Sequence, residues 1–428
     1  MKGKLWITIG LLVVSAMVLT ACPAPPPPQV QKVIETVIVE KKVEVAQTVQ
    51  VVQTQVVKEV QTQVVQVEVE KKVEVMVTPT AGPANPYRPD DLFKLSAELK
   101  DATKDCAAKT GGHKYALLTN AVAPFWTAAQ IGASRASGEI NVPITFQAPT
   151  AAEKLTQQLS MLETFVNDGY NAITFSAIDR DAPKPIIEKA TGMGIPILVT
   201  DSDSTGSKRM LYIGMSDYDA GKSAGEAAKK LIPDGGKMVG LVGYATAQNA
   251  QDRIQGVKDA FKGSNLELVE VLLDDIKPEV ALSNAQTAMQ KYPDLAGFLT
   301  FYSYDGPAAC QAVKQAGQTG KVKVIAFDAE PETQRCTQEG VVQAMIGQRV
   351  YFYGYLSGLI MYATDCLGKD ATMKILNPYL SDWPSLATKD TAKGAEGKVH
   401  LNTGVDVIMA DTFPQYKEYL NSIGIPSQ

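Results

Sequence analysis

The residues with the most chemical capacity in this 428-residue chain lie just beyond short apolar runs. Ala123-Pro124-Phe125-Trp126 follows the run Tyr115–Leu118, and Val199-Thr200-Asp201-Ser202 closes a later one. Asp252-Arg253-Ile254-Gln255-Gly256-Val257 opens a helical stretch after Met238–Val242. Ile325-Ala326-Phe327-Asp328 ends a further run, and Met345-Ile346-Gly347-Gln348 sits near a return of the chain. Carboxylates, a guanidinium and an amide can hold a polar ligand through strong directional hydrogen bonds. Material for breaking bonds is scarce. The only histidines are His113 and His400, and no Cys-x-x-Cys spacing occurs. A zinc site or a histidine-based catalytic centre therefore has little to draw on. The chain is expected to be no enzyme and to need no cofactor or metal. Asp234-Gly235-Gly236-Lys237 resembles a phosphate loop only superficially, because it precedes its strand and lacks the full spacing.

Each of these residues also has a plainer reading. Phe125 and Trp126 suit the core of a lobe. Asp201 and Asp328 suit turns or helix N-caps, and Asp305 suits the cap of a helix starting near Pro307. Arg253 suits an exposed i, i+4 pair.

The elements that must position them alternate. Tyr115–Leu118, Ile144–Phe146, Ala172–Phe175, Ile195–Val199, Met238–Val242, Leu266–Leu272, Gly297–Phe301 and Val322–Phe327 read as strands. Helical patterns separate most of them, as over 126–136 and 151–167, where Leu155, Leu159, Leu162 and Phe165 share one face. Continuous apolar strands alternating with helices predict parallel sheets covered on both faces. Some 330 residues of such material predict two lobes, and ligands of open α/β sheets bind beyond the carboxyl ends of the strands.

The N-terminus carries an address. Lys2 and Lys4 precede an apolar run over 5–20, too short to span a bilayer comfortably and suited to a signal-peptide core. Leu19-Thr20-Ala21-Cys22 resembles a bacterial lipobox, which implies cleavage before Cys22 and its lipidation. A proline run, Pro23 to Pro28, then leads into a valine-rich tract to about residue 78. Val-Glu-Lys-Lys-Val-Glu-Val occurs there twice, at 39–45 and 69–75, and much of the tract alternates valine with polar residues. The expected role of 23–89 is a stalk, either a simple spacer or one that pairs with stalks of other copies. Thr78 to Pro86 breaks the pattern, and the folded domain is expected over 90–428. The net charge of −5 and the lack of a long basic run after Cys22 argue against nucleic acid as a partner.

The order and spacing of the strand-end motifs resemble those of the sugar-binding type I periplasmic binding proteins, over roughly 113–370. The resemblance implies a two-lobed α/β fold, each lobe a parallel sheet flanked by helices, with a hinge between them. The first lobe would cover about 105–214 with 349–370, and the second about 215–348 with part of 371–428. It implies that Phe125 and Trp126 are the aromatic pair that sandwiches a sugar ring. Asp201 and Asp328 would accept from hydroxyls, Arg253 would donate to ring or hydroxyl oxygens, and Gln348 would sit near a hinge crossing. Tyr302 falls where relatives place an asparagine. Ser202, Ala123 and Val257 depart from the ribose-binding pattern, which puts ribose itself in doubt. From where relatives place the surrounding helices, and because a bridge across the lobes would hinder closure, Cys106–Cys366 and Cys310–Cys336 are the expected disulfides. The implied function is capture of a small polar ligand, by this resemblance a monosaccharide, for a membrane permease of an ABC importer, by a protein anchored outside the cytoplasm through lipid. A sensory receptor of the same fold, or a binder of a nucleoside or amino acid, are the alternatives.

Overall fold

The computed structural model describes residues 36–46, 60–70, 85–151, 153–243, 248–381 and 399–426. Cys22 and the signal segment lie outside the described residues. Two compact units divide at Gly82 and Pro83. In the first, β1 (Thr36–Ala46) and β2 (Val60–Glu70) pair antiparallel, from Thr36 against Glu70 to Ala46 against Val60. The period-two alternation of valine and polar residues accounts for strands here. The pairing is within one chain, whereas the sequence pointed to a spacer or to pairing between copies.

The second unit opens with α1 (Asp90–Ala102) and the short α2 (Ala107–Thr110). Then come β3 (Tyr115–Leu118), α3 (Thr127–Ile140), β4 (Ile144–Gln147) and α4 (Lys154–Asn167). A single 3-10 turn, Pro124–Trp126, leads into α3. β5 (Ala172–Phe175), α5 (Lys184–Gly192), β6 (Ile197–Thr200) and β7 (Leu211–Gly214) complete this stretch. The chain then builds α6 (Asp217–Leu231), β8 (Gly236–Val242), α7 (Gln248–Phe261), β9 (Leu266–Leu273) and α8 (Pro278–Lys291). It continues through β10 (Leu295–Thr300), α9 (Asp305–Gln315), β11 (Lys323–Phe327), α10 (Pro331–Gln338) and β12 (Ala344–Gln348). Next are α11 (Val350–Leu367), α12 (Lys369–Leu376), β13 (Leu380–Ser381) and β14 (His400–Asn402). β15 (Val405–Met409) and α13 (Phe413–Ser422) close the chain.

Two sheets result. The first has the order β13-β14-β7-β6-β5-β3-β4 and the second β15-β12-β11-β10-β8-β9. All pairs are parallel except β13 with β14 and β12 with β15. β3, β5, β6 and β7 are buried at every position, as expected of parallel strands covered on both faces. The second unit is thus a two-lobed α/β fold. The segment after residue 370 joins both sheets, giving β13 and β14 to the first and β15 to the second.

The chain passes between the sheets three times: after β7, after β12 and after β14. The crossings are tied together. Thr403 N–H donates to Gly214 O at 2.9 Å. Arg349 forks onto Asp406, with Nη2 to Oδ1 at 2.8 Å, and its Nη1 donates to Thr403 O at 3.0 Å. Both partners are largely buried, where a planar guanidinium suits a bidentate carboxylate contact.

Disulfides join Cys106 to Cys366 and Cys310 to Cys336, over sequence separations of 260 and 26. Neither crosses from one sheet's helices to the other's. The two histidines have structural partners. His113 Nδ1 lies 2.6 Å from Asp365 Oδ2, and buried His400 has Nε2 at 3.0 Å from Gly214 O. Among the described residues, no group of acidic, histidine or cysteine side chains could hold a metal. No described helix is long and apolar enough to cross a membrane.

Candidate ligand cleft

Asp201 directly follows β6 and Asp328 directly follows β11, one in each lobe. Both take left-handed backbone angles, φ 61° and 66°, a region that costs energy for residues other than glycine and is best tolerated by Asn and Asp. Neither caps a helix. The N-cap of α10 is Glu330, two residues after Asp328. The plainer reading of these aspartates as N-caps therefore fails, and the strained turn instead sets each carboxylate at a strand end.

In the first lobe the carboxylate belongs to a chain of neutral donors. Asp201 Oδ2 accepts from Ser176 Oγ at 2.8 Å and from Asn120 Nδ2 at 3.3 Å. Asn120 Oδ1 in turn accepts from the indole N–H of Trp126 at 3.1 Å. The Tyr212 hydroxyl donates to the backbone carbonyl of Asp201 at 2.8 Å. Buried Gln158 braces the loops behind, donating to the carbonyls of Thr119 and Ser176. Burial pushes the Asp201 carboxyl up to about 6, against the opposing pull of Ser176 and Arg253.

The second lobe supplies charge. Arg253 is buried, and its Nε donates to Asp217 Oδ1 at 2.8 Å and its Nη1 to Phe301 O at 2.6 Å. Its guanidinium lies 4.6 Å from the centre of the Phe327 ring. The plainer reading of Arg253 as a solvated surface pair does not hold. Gly221 and Gly256 explain the placement. A Cβ on Gly221 would strike the Arg253 backbone, and one on Gly256 the Tyr218 carbonyl. The two glycines therefore let α6 and α7 close together, which sets Arg253 beside Asp217. Burial alone would lower the Arg253 pKa, but Asp217 and Asp328 raise it and keep the group charged. Burial still raises Asp217, its partner, despite that pairing.

Asp328 is 5% exposed, and its Oδ1 accepts from Gln348 Nε2 at 2.9 Å. The Gln348 carbonyl accepts from the Tyr353 hydroxyl at 2.9 Å. Tyr353 is on α11, so this relay spans the second crossing. Burial pushes the Asp328 carboxyl up to about 7, with Arg253 and Gln348 opposing. Tyr302 follows β10, and its hydroxyl donates to Asn249 Oδ1 at 3.2 Å.

Asp201, Arg253, Tyr302, Asp328 and Gln348 therefore form one electrostatic neighbourhood, each influenced by another of the set or bonded to it. The aromatic pair needs a correction. Phe125 and Trp126 meet edge to face, with centroids 5.0 Å apart and planes at 86°. No sugar ring fits between rings so placed, so the pair forms one wall rather than two slices of a sandwich. Trp126 is buried and fixed by Asn120, whereas Phe125 is half-buried beside a cavity that also touches Asp328.

Asp305 also differs from expectation. It is the first residue of α9 rather than the cap of a helix near Pro307, and Tyr304 holds the cap position. Asp305 Oδ2 accepts from Tyr302 N–H at 3.2 Å. Burial, with the Asp274 carboxyl beside it, raises its pKa far above the ordinary range. Tyr304 donates to Asp274 Oδ1 at 2.5 Å. Sequence reasoning missed this buried acid pair, as it missed Asn120, Ser176, Asp217 and Tyr353. The Asp274-Asp275 doublet after an apolar strand was the one available signal.

Residues 115–368 match a family model described as the periplasmic binding protein domain. The chain belongs to the periplasmic binding protein family. It is 25% identical over 201 residues to the D-ribose/D-allose-binding protein of Pseudomonas aeruginosa, covering 45% of this chain and 62% of that one. Against the D-allose-binding periplasmic protein of Escherichia coli, it is 24% identical over 266 residues, covering 60% and 86%. Among solved structures, a glucose-galactose binding protein from Geobacillus stearothermophilus superposes with a TM-score of 0.58. That comparison covers 71% of this chain and 99% of the other at 24% identity. A sugar-binding protein of a sugar ABC transporter from Bacillus halodurans gives 0.59 at 21% identity, over 71% and 100%. Likeness at this identity establishes the periplasmic-binding-protein fold.

Proposed function

We propose that this periplasmic binding protein captures a monosaccharide in the cleft between its lobes and delivers it to an ABC-type permease. The observation that carries the reading is the convergence of Asp201 and Asp328, one from each lobe, on a cleft that also holds buried Arg253. Carboxylates accept from adjacent hydroxyls, a guanidinium donates to oxygens, and Phe125 and Trp126 offer an apolar wall to the CH face of a sugar. The names of the relatives, which bind ribose, allose, glucose or galactose, point the same way.

Both lobes contact ligand in this reading: one over 105–214 with 349–370, the other over 215–348 with part of 371–428. Ligand selects the closed form because only there can it bond to both aspartates. No covalent step is involved. Val122, Ile178, Leu273 and Ile276 are exposed apolar residues at or just past the carboxyl ends of β3, β5 and β9, and they suit a permease-facing rim. A lipid on Cys22 would hold the protein at the outer face of the membrane.

A thermal-shift screen of the purified protein against monosaccharides, polyols, nucleosides and amino acids tests this. A ligand at a hundredfold excess over its Kd stabilises by about 2.7 kcal/mol. A shift with a sugar that Asp328→Ala abolishes supports the reading. A shift with a nucleoside or amino acid alone, and with no sugar, refutes it.

A further inference from the structure

Beside the carboxylate cluster, toward the interlobe crossings, lies a second compartment. A half-open cavity of about 190 Å³ shares Phe125, Asp328 and Gln348 with the cleft. Its far wall comes from the end of the chain: Tyr416, Tyr419, Leu420, Ile423, Ile425 and Pro426. That wall is almost wholly apolar. Of the polar side chains lining it, Arg349, Asp406 and Gln334 are engaged elsewhere, whereas the buried Oε1 of Glu330 beside Asp328 has no hydrogen-bond partner. Arg349 and Asp406 fork onto each other, and Gln334 donates to Ala329 O at 2.7 Å. Leu420, Ile423, Ile425 and Pro426 in that wall offer water no side-chain partner, and an apolar cavity of about 150 Å³ is large enough to hold benzene. The space is thus apolar at one end, opens onto a hydroxyl-accepting carboxylate at the other, and is sized for a single ring.

We propose that the annex receives the apolar aglycone of a glycoside whose sugar ring is held at Asp328, so that the protein prefers an aryl or alkyl glycoside to the free sugar. This rests on the reading of the cleft as a sugar site. The polar half of such a ligand satisfies the buried carboxylate, and the apolar half covers Ile423 and Ile425. A free monosaccharide would leave the annex unfilled.

Calorimetric titration of the purified protein separates the two claims. The probes are the sugar giving the largest thermal shift and both anomers of its methyl and phenyl glycosides. One phenyl anomer is expected to bind about tenfold or more tighter than the matching methyl glycoside, the gain from burying one ring. Ile425→Trp, at a half-buried position near the chain end, should fill the annex and erase that gain while leaving the free sugar unchanged. Ile425→Ala, which cannot fill it, should retain most of the gain. Equal binding of phenyl and methyl glycosides, or a phenyl gain that survives Ile425→Trp, overturns the annex while free-sugar binding keeps the cleft reading. Binding of no sugar or glycoside removes both.

Discussion

The two lobes hold the same residue in the same backbone conformation and treat it differently. Asp201 and Asp328 both end a buried parallel strand with a left-handed turn. Around Asp201 stand the neutral donors Ser176 and Asn120, the latter locked by Trp126. Around Asp328 stand an amide from the crossing strand and the field of Arg253. The first lobe therefore offers shape, an aromatic wall and a carboxylate oriented by uncharged groups. The second adds a fixed cation and couples its carboxylate to the hinge through Gln348 and Tyr353. In the proposed reading, a ligand seated on the first lobe meets the Arg253 cation only when the second closes, which would place selection for closure in the second lobe.

The largest effect is expected where that charge is removed. Arg253→Met leaves Asp217 buried without its cation, and breaking such a pair costs about 3–5 kcal/mol. Ligand affinity should fall together with the melting temperature. Disulfide removal comes next and sharpens the comparison between lobes, at a typical cost of about 2–5 kcal/mol. Cys106–Cys366 closes a loop ten times longer than Cys310–Cys336. On chain-entropy grounds, losing the first-lobe bridge should cost about 2 kcal/mol more. Denaturant titration of the two double-serine variants checks the difference.

The pH dependence is smaller and separates the aspartates. Both carboxyls are raised in the folded state, from 3.8 to about 6 and about 7. The folded protein thus holds these protons more tightly than the unfolded chain does. Their contribution to stability is complete below the unfolded value and is lost as pH rises through 6 and 7. The ligand-free protein should lose stability between about pH 4 and 7. Asp328→Asn should flatten that decline along its whole length and Asp201→Asn only below about pH 6, as melting curves across pH would record. Asn120→Ala is the mildest change. It frees the Trp126 indole and removes one donor from Asp201, at about 1 kcal/mol. Its loss of affinity, on the order of fivefold to tenfold, should show in the titration alone.

Strands with unbroken apolar runs were legible. Ala172–Phe175 and Tyr115–Leu118 fall where the sequence placed them. α1 was not foreseen, although it lies inside the expected domain and Leu92, Leu95 and Leu99 are buried at helical spacing, because it precedes the alternating run that starts at Tyr115–Leu118. β14 has three residues and pairs between β13 and β7, and β15 is an antiparallel edge strand against β12, pairings that local pattern cannot reveal. The charged and aromatic residues of the candidate cleft stood out because Asp and Trp just past strand ends, and Arg near a helix start, are conspicuous. Asn120, Ser176 and Gln158 were not, since small polar residues in loops look alike until the fold sets one beside a carboxylate. Tyr353 lay hidden in an apolar helix, where nothing separates a core tyrosine from one bonded to Gln348.

The central claim is that one ligand bonds to an aspartate from each lobe. Calorimetric titration of the best-binding sugar into the wild-type protein, Asp201→Asn and Asp328→Asn tests it most directly. The account predicts that each single change weakens binding by about tenfold or more, the worth of one charge-assisted hydrogen bond. Unchanged affinity in either variant would contradict it, since the ligand would then be held by one lobe alone.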